Sequence, residues 1–341
     1  MGLKREERDL LRQFIIENVE KHSHDIVAQT MSTVGISRQA VHNHINKLIE
    51  EEIILKEGTT RNARYKLLDT MYDFDIAITS DLQEDVVWSD KIAPILTDIK
   101  KNVYDICYYG FTEMLNNVID HSETEKATIQ LKINALKISF LILDEGVGIF
   151  KKIQKAFNLD DPRHAILELA KGKLTTDPER HTGEGIYYTS RMFDDFDLLS
   201  DKIYFHGQKN NDWLLEKEKI TKGTAVFMDI KRKSLTTIKQ VFDVYSPEKE
   251  DFGFSKTKVP VKMLRHEGEE LVSRSQAKRL IMGFNRFKEV ILDFEGIKII
   301  GQPFADEVFR VFKRQNPEVH LTWINTNEDI KKMIKHVMSN E

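Results

Sequence analysis

Apolar residues recur at helical spacing three times in the first 50 positions. Leu10, Leu11, Phe14 and Ile15 mark one amphipathic stretch, residues 25–33 fit a short second helix, and Val41, Ile45 and Leu48 line one face of a third. The turn Val34-Gly35-Ile36 separates the second helix from the third, and Ser37 follows it as an N-cap. The outer face of the third helix carries Arg38, Gln39, His42, Asn43, Asn46 and Lys47. Ile53-Ile54-Leu55, the stretch 57–64 and Tyr65-Lys66-Leu67 then read as strand, basic turn and strand. Further on, residues 106–120 have the period of an amphipathic helix, and 127–133 and 137–143 read as neighbouring strands. A short helix is predicted over 163–170, a polar loop over 171–182, a helix from Gly185 onward and a late strand over 224–230. Residues 242–260 are charged and irregular, with room for a hairpin. Helices over 273–287, 303–314 and 328–338 then alternate with strands over 290–294 and 319–324, the pattern of a small α/β unit.

A chain of 341 residues exceeds one ordinary domain. The pattern divides it into residues 1–68, 71–234 and 235–341. With 40% hydrophobic residues there is enough apolar material for real cores. The net charge of −4 exerts no global pull on nucleic acid or membrane, so any contact with DNA must come from a local patch. Cys107 is the sole cysteine, which excludes an internal disulfide and fits a reducing compartment. The start MGLKREERDLL lacks the apolar core of a signal peptide, and no apolar run nears the roughly 20 residues that a membrane span needs. The expectation is a cytoplasmic protein with no membrane partner, no internal repeat and no low-complexity tract.

The stretch GISRQAVHNHINKLIEEEIILKEGTTRNARYKL resembles a bacterial winged helix-turn-helix domain. A recognition helix needs an apolar face for its own core and an outer face of hydrogen-bonding side chains that reach base edges. Arg38, Gln39, His42 and Asn43 are the candidates for base contact, and Arg61 and Arg64 supply the turn with cations for phosphates. The alternative is a small helical domain for protein contact with a solvated polar face. Glu50, Glu51 and Glu52 at the helix end favour that alternative, because the segment is not strongly basic.

Three short motifs fit one ATP site: Glu113-x-x-x-Asn117, Asp144-x-Gly146-x-Gly148, and Gly183-x-Gly185 at a helix start. Each is unspecific alone; their order and spacing together resemble the GHKL ATPase superfamily, which includes gyrase B, MutL, sensor histidine kinases and anti-sigma-factor kinases. The resemblance covers roughly half the chain. It implies a Bergerat-type α/β sandwich, a mixed sheet backed by helices, with ATP and magnesium held under a mobile lid. Glu113 and Asn117 share a helix face. The resemblance makes Asn117 the magnesium ligand, with phosphate and water supplying the rest, and Glu113 the general base. His121 lies one turn further, where approach to phosphates and a bland structural role are equally open. Asp144 matches the carboxylate that accepts from the adenine amine, and Gly146 and Gly148 let the backbone turn close to the base. Gly183 and Gly185 free backbone N–H groups for phosphate. Thr224, in KGTAVFMDI, would hold the adenine edge. Residues 171–177 look like the lid, with Lys171 as its phosphate contact; for each single lid residue a solvated loop is the equal alternative.

The last segment, with EVILDFEGIKIIGQPFADEVFRVF, resembles a STAS-like domain, closest to a variant attached to GHKL domains in which an FADE stretch recurs. Where phosphorylated members carry a serine, this chain has Gly301-Gln302-Pro303, with no hydroxyl. Asp306 and Glu307 suit either the helix dipole or an acidic edge for a protein partner. The expected whole is a multidomain α/β (α+β) chain of winged helix, ATP-binding sandwich and STAS-like unit. The expected function is that of an ATP- and magnesium-dependent transcriptional regulator, a possible homodimer, whose ATPase switch controls DNA or partner binding. A serine/threonine kinase of the anti-sigma type acting on a STAS partner is one alternative. A non-hydrolysing ATP sensor on DNA is another. No stretch resembles the phospho-accepting helix of a histidine kinase, and His42 and His44 sit on the expected recognition helix.

Overall fold

The computed structural model describes residues 5–59, 62–161, 164–173, 183–207, 213–245, 255–264 and 270–339. The chain opens with α1 (Arg5–Asn18), α2 (Ile26–Val34) and α3 (Arg38–Glu50), followed by β1 (Ile54–Glu57) and β2 (Arg64–Leu67). Gly35, at φ 73°, ends α2 and donates its N–H to the Met31 carbonyl. Ser37 then caps α3 by accepting from the Ala40 N–H. β1 and β2 pair antiparallel from Ile54–Leu67 to Glu57–Arg64. Leu11, Ile15, Val41, Ile45, Leu48 and Tyr65 close a core of their own beneath them.

β3 (Thr70–Ala77), β4 (Lys126–Ile133), β5 (Lys137–Asp144), β6 (Asp195–Gly207) and β7 (Trp213–Lys231) form a five-stranded sheet in the order β3-β4-β5-β7-β6. Every described pairing in it is antiparallel, where a mixed sheet was expected. The reason is local: β4 turns straight back into β5 through a hairpin in which the Asn134 Oδ1 accepts from the Leu136 and Lys137 amides. Alternation sends Ile129 and Leu131 of β4, and Ile138, Phe140 and Ile142 of β5, to one buried face. α5 (Lys101–His121) packs there with Ile106, Phe111, Met114 and Leu115. Ahead of it come α4 (Glu84–Val87) and a π-helical turn at Trp88–Ile92, with the Trp88 indole donating to the Tyr104 hydroxyl at 2.9 Å. α6 (Ile149–Ala156), α7 (His164–Lys171), α8 (Gly185–Met192) and α9 (Ile238–Tyr245) complete this part.

The C-terminal sheet has the order β10-β9-β8 and is parallel, from β8 (Lys256–Pro260), β9 (Glu289–Asp293) and β10 (His320–Ile324). α10 (Arg274–Ile281) begins with a full capping box between Ser273 and Gln276. α11 (Gln302–Asp306) runs through a π-helical turn at Glu307–Phe312 into α12 (Lys313–Gln315), and α13 (Glu328–Met338) is capped by Asn327. The described parts of the 242–260 stretch are the end of α9 and the parallel strand β8; 246–254, where a hairpin had room, lies outside the described residues. Two expectations change. The helix expected over 273–287 breaks at Gly283, whose φ is 75°. α7 extends through Lys171, which therefore stands on a helix and not in a loop.

One hydrophobic core runs through position 235 without a break, joining Leu169 and Tyr187 to Val259 and Phe284. The packing of α7 on β8 and α8 on α9 makes that continuity. The described residues thus form a mixed α/β architecture with three sheets. No described helix is long and apolar enough to cross a membrane.

Candidate functional site

A cavity of about 300 Å³ opens where the end of β5 meets α5, α6 and the start of α8. Its lining includes Glu113, Asn117, Asp144, Gly148, Gly183, Gly185 and Thr224, together with His121. Glu113 and Asn117 point the same way because they stand one helical turn apart on α5. Asp144 ends β5 opposite Thr224 of β7. Its side chain accepts from the Gly146 N–H at 2.8 Å, while the Thr224 hydroxyl accepts from the Ile149 N–H at 3.1 Å. Burial to 4% exposure pushes the Asp144 carboxyl above its usual range, and hydrogen bonds from Gly146 and Thr224 pull it part of the way back. The result is a fixed, buried acceptor at the cavity wall.

Two glycines stand at close approaches, one to backbone and one to a side chain. A side chain at Gly146 would strike the Ser122 carbonyl, which is held by the Val147 N–H at 2.9 Å; Gly146 shapes this loop without lining the cavity. A side chain at Gly185 would meet Glu113 Oε2 and push that carboxylate aside, so glycine here leaves α8 to begin directly against it. Gly185 and Ile186 at the start of α8 line the cavity, and the first N–H groups of a helix have no partner within it.

Lys171 is corrected. It does not line the cavity; its side chain is 2% exposed, and its ammonium donates to Glu168 Oε1 at 2.6 Å, the Arg279 carbonyl at 3.1 Å and the Met282 carbonyl at 2.9 Å. Burial lowers its pKa, and Glu168 opposes that. The remainder of the expected lid, 174–177, lies outside the described residues, as does the rest of the expected loop to 182. Lys152 was missed from the sequence. It lines the cavity from α6, donates to the His121 carbonyl at 2.7 Å and faces Glu123 at 3.6 Å. The spacing of Phe150 and Ile153 in IFKKIQKA marked a helix there and was the available signal.

The outer face of α3 is remote from this cavity. Arg38, Gln39 and Asn43 are exposed, His42 is half-buried, and the Gln39 amide donates to Asn43 Oδ1 at 3.2 Å. Arg64 is exposed on β2, and Arg61 lies outside the described residues. The start of β5 leans on the N-terminal core through Ala135 and Leu136, whereas Asp144 is its last residue. Seven steps of about 3.3 Å put these two ends roughly 23 Å apart.

Near the C-terminus, Asp306 bonds Arg310 at 2.8 Å and approaches Arg274 at 3.5 Å, so its charge is already matched. Its neighbour Glu307 is buried. Residues 276–331 match the family described as STAS-like domain of unknown function (DUF4325). No curated protein matches the chain. The STAS-like region takes in β9, β10 and the helices between them, while β8 supplies its third strand from outside the match.

Proposed function

We propose that the cavity binds ATP with magnesium and that the chain is a nucleotide-controlled regulator of the GHKL type. Its N-terminal unit would contact DNA and its STAS-like region a protein. The observation that carries this is the convergence of three separated motifs on one cavity, with a buried carboxylate at one wall and Glu113 beside a helix start at another. The donor set fits such a ligand. Asp144 offers a fixed acceptor for an exocyclic amine, which selects adenine over guanine. Asn117 offers one neutral oxygen, and among the described residues no group of three or more His, Cys, Asp or Glu is placed to hold a metal. That suits magnesium, which takes most of its ligands from phosphate and water and would neutralise charge on the phosphates. Gly183 and the start of α8 line the cavity, where their amides would meet the phosphates, and Lys152 would add a cation.

Glu113 then has a defined chemical role. Its carboxylate takes the proton from an attacking water or hydroxyl as the terminal phosphate transfers. Incubation with γ-labelled ATP and magnesium, beside Glu113→Ala, tests this. Free phosphate in the wild type is expected to fall about 10²-fold or more in the variant, with ATP binding retained. Retained turnover would remove Glu113 from the mechanism. The STAS-like region favours a second outcome, label on a protein. Because Gly301-Gln302-Pro303 has no hydroxyl, the acceptor would then be sought on another chain.

A further inference from the structure

We propose that Lys171 is a positioning residue of the nucleotide cavity, through which occupancy of the cavity and the STAS-like region are linked. This rests on the cavity being an ATP site. α7 faces two ways. Leu169 lines the cavity, while Glu168 and Lys171 turn into the C-terminal unit. The carbonyls that Lys171 holds are those of Arg279 in the last turn of α10 and of Met282, its C-cap. Carbonyls at a helix C-terminus have no partner within the helix, and a cation there is favourable with the helix dipole. Lys171 therefore caps α10 from another part of the chain, with its ammonium 5.4 Å from the Phe284 ring centroid.

The same segment is fastened three more times. The wholly buried Thr257 donates its hydroxyl to the Lys171 carbonyl at 2.6 Å. Lys173 donates to the Arg286 carbonyl at 3.0 Å, and Arg286 donates back to the Lys173 carbonyl at 3.3 Å. At the other end of α7, the Arg279 guanidinium meets His164 Nε2 at 2.7 Å. A buried charge pair resists loosening, because good geometry and satisfied hydrogen bonds are what offset its desolvation. A ligand that moves or steadies the Leu169 wall is therefore expected to move or steady the end of α10 with it. Linkage is reciprocal, so a partner on the STAS-like region changes ATP affinity by the same factor.

Hydrogen exchange on the full chain with and without saturating ATP and magnesium, alongside ATP affinity, tests the link. In the wild type, ATP is expected to slow exchange of the amides over 279–287 by about fivefold or more. Glu168→Gln/Lys171→Met, which removes both charges together, is expected to bind ATP yet lose that response. A wild type that binds ATP with no change over 279–287 overturns the proposal, as does a double variant with the full response. If the double variant fails to fold, Lys173→Ala replaces it; a reduced response is expected, and an undiminished one overturns the link. A wild type that binds no ATP removes the nucleotide reading itself, and this inference with it.

Discussion

At the start of β5, Ala135 and Leu136 lean on an N-terminal core that closes without them. At its far end, Asp144 walls a cavity whose neighbour α7 is buried in the C-terminal unit through Lys171. One flanking unit is attached by a hairpin tip and an exposed Lys233–Gln13 hydrogen bond, the other by a shared core and a buried ion pair. The difference teaches where influence can travel: the STAS-like region is part of the cavity's support, while the N-terminal unit meets the hairpin before β5, eight or nine residues from Asp144. A signal from cavity to α3 must pass through the sheet or through a second molecule.

The largest expected effect is on the tight side. Lys171→Ala leaves Glu168 buried without its cation and is expected to destabilise the joint central and C-terminal core by about 3–5 kcal/mol. The N-terminal unit, with its own core, should keep its unfolding midpoint. Differential calorimetry of the full chain separates these cases, and an unmoved main transition would break the contrast.

An intermediate effect concerns acidity at the cavity. Burial raises the Asp144 pKa above its ordinary 3.8, and the ionised form is the stronger acceptor. Adenine-nucleotide affinity should therefore fall on acidification sooner than for a free carboxyl, by up to about tenfold per pH unit below the raised pKa. The sign for stability is opposite: the fold favours the protonated acid, so ionising Asp144 costs stability as pH rises from 3.8 through the raised value. Binding titrations across this range should lose their slope in Asp144→Asn.

The smallest effect belongs to the loose side. Leu136→Ala removes a half-buried side chain from the N-terminal contact at a cost of about 1 kcal/mol, with ATP affinity unchanged. A fivefold change in affinity would mean that the hairpin end does communicate with the cavity.

The sequence made some of this legible and hid the rest for physical reasons. Val41, Ile45 and Leu48 at helical spacing, with Ser37 before them, were enough to delimit α3. The four-residue step from Glu113 to Asn117 was enough to place both on one side of α5. Lys171 was illegible because it opens the polar run KGKLTTDPER and looks solvated. Its partners Arg279 and Met282 lie 108 and 111 positions away, and nothing local announces them. β3 escaped because its burial is slight and its alternation blurred, as befits an edge strand. β8 escaped because parallel pairing to β9 is a tertiary event that its charged sequence does not encode.

The central claim, an adenine-nucleotide site with Asp144 as its selector, is tested most directly by calorimetric titration of the full chain with ATP and with GTP, each with magnesium, beside Asp144→Asn. The predicted result is ATP binding at least about tenfold tighter than GTP in the wild type, from one well-placed buried hydrogen bond, and loss of that preference in the variant. Equal affinity for the two nucleotides in the wild type, or no binding of either, would contradict it.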